Sequence, residues 1–359
     1  MSQSGRKRYI LFRGVILIII MSCLLCGARW VFFNIIHEDD LCDGIAELRE
    51  RVTEDIESGK TSEVYYVSNI SDSVLYDINS YIDTVCGVAE AYKVYINSSD
   101  YAVVRIDYKI SENYYVIRKF KEGIDIPSSM SRALQIYQVM AEFYDSFITD
   151  DMTDYTKELT AHDYMVETCV YGYPADEADA YTAYGVLVEK RAVCDGYAEC
   201  FAMLCECMGI DCNIVVGMAE NEMHAWNQIC LDGIWYNVDV TWDDALPDMG
   251  SCIRHSYFNV TDDVLATDHS WDKEYYYSCT ETRYNYYKMI NAWYSDYEEY
   301  KSNIINHTNS RNILEAVIVD FDDDEFDANF LYEYNGIRNV SYTITDFGAY
   351  TNIVIYTNR

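Results

Sequence analysis

Proline and basic side chains are both scarce in this sequence. Only 3 of the 359 residues are proline, which argues against Pro-rich linkers, while 36 tyrosines favour strands and amphipathic surfaces. The 26 lysines and arginines are outnumbered by 60 acidic residues, giving a net charge of −34. Such a field repels phosphate backbones, so we expect no nucleic-acid partner. It suits either a cationic substrate or high solubility alone.

Patterns typical of metal sites are also missing. Cys205 and Cys207, with the distant His224, do not have the spacing of zinc ligands. The acidic run from Asp320 to Glu325 lacks the glycine and the distal glutamate of a calcium loop. We therefore expect no metal and no cofactor. The chain has 13 cysteines, an odd number, so at least one is expected to have no disulfide partner within the chain.

The N-terminal segment, residues 1–38, is basic first and apolar afterwards. An apolar run covers residues 14–28 and a second covers 30–36, so residues 9–36 are long enough for one transmembrane helix with snorkelling arginines. The basic tip predicts a cytoplasmic N-terminus, which places the rest of the chain on the extracytoplasmic face of the membrane. A cleaved signal peptide or a lipoprotein signal at Cys23 is the alternative.

Periodicity divides the remainder into three parts. Residues 41–130 read as a small α+β module, in which "DGIAELRERVTEDIESG" and "DSVLYDINSYIDTVCGVAE" predict helices and "EVYYVS", "AYKVYIN", "YAVVRIDYKI" and "YYVIRKF" predict strands. Residues 280–359 repeat the order helix, strand, helix, strand, strand, as a second copy of the module or by chance. The middle part, 131–278, begins with two amphipathic helices, the second after Thr153.

The middle part contains five cysteines within "KRAVCDGYAECFAMLCECMGIDC". Its apolar spacing predicts a core-facing helix that ends at Gly209. Cys194 lies in the first turn, where free backbone N–H groups and the positive end of the helix dipole favour a thiolate. Position alone therefore distinguishes Cys194 from the others, for which packing is the expected role: Cys200, Cys205, Cys207 and Cys212.

A β-hairpin is predicted downstream, because Asp232-Gly233 separates two alternating runs. Paired residues then sum to 465, so Trp226 should face Asp239 and His224 should face Thr241. His224 and Asp239 become diagonal neighbours within hydrogen-bonding reach. The tryptophans on this polar face, Trp226 and Trp235, are expected to form the walls of a site.

The chain resembles the transglutaminase-like superfamily of papain-like cysteine enzymes. The resemblance lies in the segments "VCDGYAECF" and "HAWNQICLDGIWYNVDVTWDD" and in the order Cys194, His224, Asp239. The resemblance covers about 140 residues. It implies an α+β fold with a papain-like transglutaminase core (N-terminal helices, nucleophile helix, antiparallel sheet), here flanked by two small α+β modules. It also implies that Cys194 is the nucleophile, His224 the general base and acid, and Asp239 the partner that orients His224.

The chemistry implied is acyl transfer on protein or peptide amides, with hydrolysis favoured over transamidation because no second amine site is visible. The Cys194 N–H is one oxyanion donor; a second donor, from Tyr184 or Gln228, stays open. His162 could touch the site, although a structural hydrogen bond is the plainer interpretation, and His255 and His269 are interpreted as surface residues. The alternative function is a catalytically silent surface module that binds protein or cell wall.

Overall fold

The computed structural model describes residues 41–71, 78, 82, 88–98, 101–244, 253–307, 313–319, 321–322, 325–333 and 337–358. The N-terminal segment 1–38 and most of the helix expected over 72–90 lie outside these residues. Within the described part of the chain, none of the helices has the length and apolar character needed to span a membrane. The described residues divide into two compact units.

The first unit holds a four-stranded sheet and one helix. Its elements are β1 (Leu41–Asp43), α1 (Gly44–Glu57), β2 (Ser62–Ser68), β3 (Val88–Ser98) and β4 (Tyr101–Lys109). The strand order is β1-β2-β4-β3, with β1 and β2 parallel and β2 and β4 antiparallel. The stripe of α1, including Ile45, Leu48 and Val52, is buried as its three- and four-residue spacing predicts.

The second unit begins with helices. These are α2 (Glu112–Glu122), α3 (Ser131–Phe147), α4 (Asp154–Thr168) and, after the short strands β5 (Val170–Tyr171) and β6 (Arg191–Ala192), α5 (Cys194–Met208). The prediction of a strand at "YYVIRKF" is wrong, because this segment lies in α2. The left-handed Gly123 ends this helix, and burial of Tyr114, Val116 and Ile117 along it outweighs the strand preference of tyrosine and valine. The helix after Thr153 is confirmed, with the Thr153 side chain capping it.

An antiparallel sheet of order β10-β7-β8-β9 follows α5. Its elements, with the short helices around them, are β7 (Cys212–Ala219), β8 (Glu222–Leu231), β9 (Ile234–Val238), α6 (Val240–Asp243), α7 (Asp262–Leu265) and β10 (His269–Ser270). The predicted hairpin register is confirmed from the Leu231–Ile234 pair to the Asn227–Val238 pair. Asp232 and Gly233 both have positive φ, as a type I′ turn requires.

The C-terminal residues form a third four-stranded sheet in the second unit. Its elements are α8 (Tyr286–Met289), β11 (Trp293–Tyr294), α9 (Tyr297–Asn303), β12 (Ile313–Ile318), β13 (Asn339–Asp346) and β14 (Thr351–Asn358). The order β11-β12-β14-β13 has a parallel first pair and an antiparallel second pair, the same topology as the first unit. A common origin of the two modules, with their boundaries at 41–130 and 280–359, remains a prediction.

One hydrophobic core joins the two sheets of the second unit. Trp226 and Val215 from the middle sheet and Leu314, Val317 and Ile353 from the C-terminal sheet belong to the same buried cluster. The C-terminal strands therefore pack directly onto the domain that carries the candidate catalytic residues.

Candidate active site

The first residue of α5 is Cys194, and a close backbone approach fixes its position. The N–H of Val193 donates to the carbonyl oxygen of Ala180 at 3.0 Å. A Cβ on Gly196 would lie 2.4 Å from that same oxygen, so only glycine allows the turn at 177–182 to sit against the helix start. The glycine of "CDG" is thus a packing requirement that places the neighbouring thiol.

Replacing Gly196 by alanine should move this helix start. We expect a loss of about 1–3 kcal/mol in the free energy of unfolding, because the added methyl group forces the Ala180 carbonyl away. Urea unfolding followed by circular dichroism measures this loss. Glu206→Ala, near the exposed end of the same helix, is the control and should change stability by less than about 1 kcal/mol, since it removes one surface ion pair with Lys121. A Gly196→Ala variant as stable as the wild type would contradict the packing argument.

The body of α5 is buried more completely than one stripe predicts. Cys200, Ala202 and Met203 are buried alongside Phe201 and Leu204, because helices and sheet cover it on several sides. Cys200 and Cys205 have the packing role expected of them, and burial raises the pKa of both thiols. Cys194 is also a free thiol and differs from them in standing at the positive end of the helix dipole.

Strand β8 brings His224 to Cys194. The amide of Asn227 donates to the carbonyl of Ala198 in α5 at 3.0 Å, which ties the strand to the helix. Gly217 on β7 is directly opposite His224, and a Cβ there would lie 2.7 Å from the Trp226 ring. His224 is nearly buried, and the nearby Cys194 thiol helps to raise its pKa. The Cys194 thiol itself donates to the carboxylate of Asp195, at 3.6 Å.

The expected diagonal contact is present, but it forms in a different way. His224 Nε2 lies 2.7 Å from Asp239 Oδ2. The pairing predicted beyond Val238 is wrong, because β9 ends there and Asp239 instead caps helix α6, accepting from the N–H of Trp242 at 3.0 Å. Thr241 lies within α6. One carboxylate therefore orients the imidazole with one oxygen and starts a helix with the other.

A second imidazole completes the group around Asp239. His269 Nε2 lies 3.1 Å from the same Oδ2 atom, and its Nδ1 contacts the carboxylate of Asp268. The interpretation of His269 as a surface residue is wrong, since the side chain is buried. Strand β10 carries it there by pairing His269 with Ala219 of β7. The isolated "DHSW" has no periodicity that would have placed it.

The charges of this group reinforce one another. Burial lowers the pKa of His224, but the Asp239 carboxylate, followed by the Cys194 thiol, raises it to about 10. Burial likewise opposes the charge of Asp239, yet the rings of His224 and His269 hold its pKa well below the usual range. Bonds to Asp239 and Asp268 raise the pKa of His269 against burial. At neutral pH His224 is consequently an imidazolium paired with a carboxylate.

Of the two tryptophans predicted to form walls of the site, Trp226 lies beside His224 and Trp235 does not. Trp226 is buried and packs its ring against His224 at 6.0 Å and His269 at 5.2 Å. Trp235 is opposite Cys230, six residues along β8 from His224 and thus roughly 20 Å away, and it stacks on Tyr277. Trp235 is therefore not brought to the site.

The two side chains considered as a second oxyanion donor, Gln228 and Tyr184, both have other hydrogen-bond partners. The side-chain amide of Gln228 donates to the carbonyl of Tyr277 at 2.8 Å, and the hydroxyl of Tyr184 donates to Gln135 at 2.9 Å. Both groups are engaged within the fold. The backbone N–H of Cys194, in the first helical turn, has no acceptor within its own helix and remains the natural donor.

A pocket of about 590 Å³ opens beside His224. One side comes from the middle domain, with Met223 and Trp242, and the other from the C-terminal strands, with Thr343, Thr345 and Val354. Its lining has three acidic residues, Glu220, Glu222 and Asp244, and one arginine, Arg254. The lining is therefore suited to uncharged or cationic ligands.

Two groups of the described residues have ligand atoms close enough to hold a metal ion. One is His224, Asp239 and His269; the other is His162, Asp163 and His255. The interpretation of His255 as a surface residue is wrong, since it is buried in the second group, while the structural hydrogen bond expected of His162 is present, to Asp243. In the first group, the hydrogen bonds of His224 and His269 to Asp239 explain the close approach of the ligand atoms.

Comparison with known proteins agrees with this architecture. Residues 141–240 match the model of the transglutaminase-like superfamily. Over 88 residues the chain is 34% identical to the kyphoscoliosis peptidases of Homo sapiens and Mus musculus, a stretch that covers 21% of this chain and 13% of the human protein. The chain thus matches only a small part of these curated relatives.

Two solved structures show lower similarity. A transglutaminase ("TGase") crystal structure is 14% identical, with 57% of this chain and 59% of that chain covered and a TM-score of 0.27. The periplasmic domain of TgpA from Pseudomonas aeruginosa is 16% identical, with 41% and 58% covered and a TM-score of 0.24. On the family match, the mixed helices and sheets around α5 and β8 in residues 141–240 form a transglutaminase-like core.

Proposed function

We propose that this protein is a cysteine-dependent acyl-transfer enzyme that hydrolyses amides of proteins or peptides. The observation that carries the proposal is the position of His224, whose Nε2 lies 2.7 Å from the Asp239 carboxylate and whose pKa is raised by the nearby Cys194 thiol. A nucleophile, a base and an orienting group are the parts that covalent catalysis needs. The peptidase name of the human relative is consistent with this proposal.

The proposed reaction has two steps. In the first step, the Cys194 Sγ attacks the amide carbonyl carbon as a thiolate, while the Cys194 N–H donates to the oxyanion. The C–N bond then breaks, His224 gives its proton to the departing amine, and a thioester remains on Cys194. Water attacks the thioester, His224 takes the water's proton, and the acid leaves with the thiolate restored.

Hydrolysis is favoured over transamidation because water is present at high concentration and the described residues offer no evident second amine site. The acidic lining of the pocket suits peptides that carry lysine or arginine near the bond to be cleaved. The basic and apolar N-terminal segment supports action on the extracytoplasmic face of a membrane, with residues 1–38 as anchor or signal.

Alkylation by iodoacetamide near neutral pH, mapped by peptide mass spectrometry, tests the proposal. Cys194 should react at least about tenfold faster than Cys230, a partly exposed thiol at the far end of β8, because only Cys194 has an imidazolium beside it. Labelling of Cys194 should slow in His224→Ala. Equally slow labelling of both cysteines would favour the alternative, a catalytically silent module that binds protein or cell wall.

A further inference from the structure

A second cluster of titratable side chains lies apart from Cys194. Helix α4 contributes His162 and Asp163, and the segment before α7 contributes His255. His162 Nδ1 lies 3.1 Å from Asp163 Oδ1, and His255 Nε2 lies 3.0 Å from the same oxygen. These three ligand atoms all lie within 4.8 Å of one another. Two imidazoles and a carboxylate therefore converge on one point.

The outward-facing nitrogen of each imidazole is held by a buried carboxylate. His162 Nε2 lies 3.1 Å from Asp243 Oδ2, and His255 Nδ1 lies 2.9 Å from Glu315 Oε2. Each of these carboxylates is itself fixed by a backbone N–H at 3.0 Å, from Tyr257 to Asp243 and from His255 to Glu315. Metal-binding histidines have this arrangement, in which the second ring nitrogen donates to a carboxylate and sets the direction of the first.

The number of N–H donors in the cluster is compatible with a metal ion between the rings. The two rings make four contacts with carboxylates, whereas two neutral imidazoles have only two N–H groups. Without a cation, the four contacts need two additional protons, on the rings or on a carboxyl group, in a cluster whose rings stack with centroids 5.2 Å apart. With a cation at the inner point, the two N–H groups satisfy Asp243 and Glu315, and the two lone pairs face the ion.

We propose that His162 Nδ1, His255 Nε2 and Asp163 bind a divalent transition-metal ion of the zinc class. Imidazole and carboxylate are suitable ligands for such ions. Ligand atoms about 3.3 Å apart are expected around a tetrahedral ion with bonds of about 2.0–2.1 Å, so the present 3.0 and 3.1 Å need to open by only a few tenths of an ångström.

The surroundings fit such an ion in rigidity and access. The His255 ring stacks on Tyr286 at 3.6 Å and the His162 ring packs edge-on against Phe258 at 5.0 Å, so neither ring is free to turn. The Asp163 side chain is 33% exposed, which leaves a path for the ion and for a water ligand. The outer carboxylates connect the site to helix α6, capped by Asp239, and to strand β12. The metal would thus hold the C-terminal sheet and the Asp239 helix together, a role independent of the proposed reaction.

Metal binding to the full-length chain tests this inference in a Cys194→Ser background, which removes the thiol that would also bind soft metals. After chelation, titration with ZnCl₂ followed by elemental analysis should give one ion per chain, with a Kd tighter than about 0.1 µM. Co²⁺ in place of Zn²⁺ should give the visible absorption of a four-coordinate site. Asp163→Asn, at a partly exposed position, should weaken binding at least about 100-fold with the fold intact by circular dichroism.

His269→Gln in the same background is the matched control, because it disrupts the other His–Asp–His group. Binding should persist in it. The inference is overturned if the Cys194→Ser protein is folded yet binds Zn²⁺ more weakly than about 0.1 mM. It is equally overturned if His269→Gln abolishes binding while Asp163→Asn does not.

Discussion

Cys194→Ala is expected to abolish amide cleavage, lowering kcat/KM by at least about 10³-fold. The loss should be this large because Cys194 is the cysteine whose thiol raises the pKa of the His224 ring, and the thioester cannot form without it. Initial rates on the best peptide from a library screen measure the effect, and a library enriched in lysine and arginine is the natural first choice.

Cys230→Ala is the matched control for that substitution. Its thiol is partly exposed, and burial raises its pKa, so its removal should change kcat/KM by less than about twofold. Cleavage that survives in Cys194→Ala and disappears in Cys230→Ala would refute the assignment of the nucleophile.

The second large effect is expected from Asp239→Asn, which should lower kcat/KM by about 10²–10⁴-fold and narrow the pH range of activity. Asp239 raises the pKa of His224 from its ordinary 6.5 to about 10 against the effect of burial. Without the carboxylate, the imidazolium loses its proton at lower pH. The alkaline limb of the kcat/KM profile should therefore move from near pH 10 towards neutrality.

Stability should follow the same pair of groups. The raised pKa of His224 stabilises the fold, and this contribution is complete below pH 6.5 and is lost as the pH rises through about 10. The lowered pKa of Asp239 stabilises the fold at any pH above 3.8, the ordinary pKa of this side chain. That contribution is lost as the pH falls through the pKa of Asp239 in the folded protein. The difference in unfolding free energy between wild type and Asp239→Asn should thus be greatest between about pH 4 and 6.5.

Asp232→Asn removes the same charge from the hairpin turn and serves as the control. Asparagine tolerates the positive φ of 52° at this position, so the turn should persist. Its pH profile should match that of the wild type. An alkaline limb that stays near pH 10 in Asp239→Asn would show that another group sets the His224 pKa.

Sequence reasoning located the candidate site best where local chemistry fixes the backbone. The turn at Asp232-Gly233 specifies the register of β8 and β9, so the short turn was enough to predict that His224 approaches Asp239. The prediction failed one residue past Val238, where the Asp239 side chain bonds the N–H of Trp242 and turns the chain into a helix. Competition between a strand ladder and a side-chain cap depends on the surrounding fold, and alternation alone cannot reveal it.

The buried histidines show a second limit. His269 and His255 lie in segments without periodicity, and long-range pairing brings them inside: β10 with β7 in the first case, and Glu315 of β12 in the second. Such partners are 50 or more residues away in the chain or depend on a two-residue strand. Burial of an isolated polar residue is decided by those partners, so a single sequence gives no local signal for it.

Because the pocket beside His224 is lined by two parts of the chain, the proposed reactivity and selectivity depend on different segments. Thr343, Thr345 and Val354 line the cleft from the last twenty residues, whereas the proposed reacting groups come from residues 194–239. Replacing those side chains by smaller or charged ones would change the shape and charge of the pocket. The Cys194 sulfur, the His224 imidazole and the Asp239 carboxylate would remain in place. Trimming the carboxyl-terminal strands would leave the cleft open on one flank.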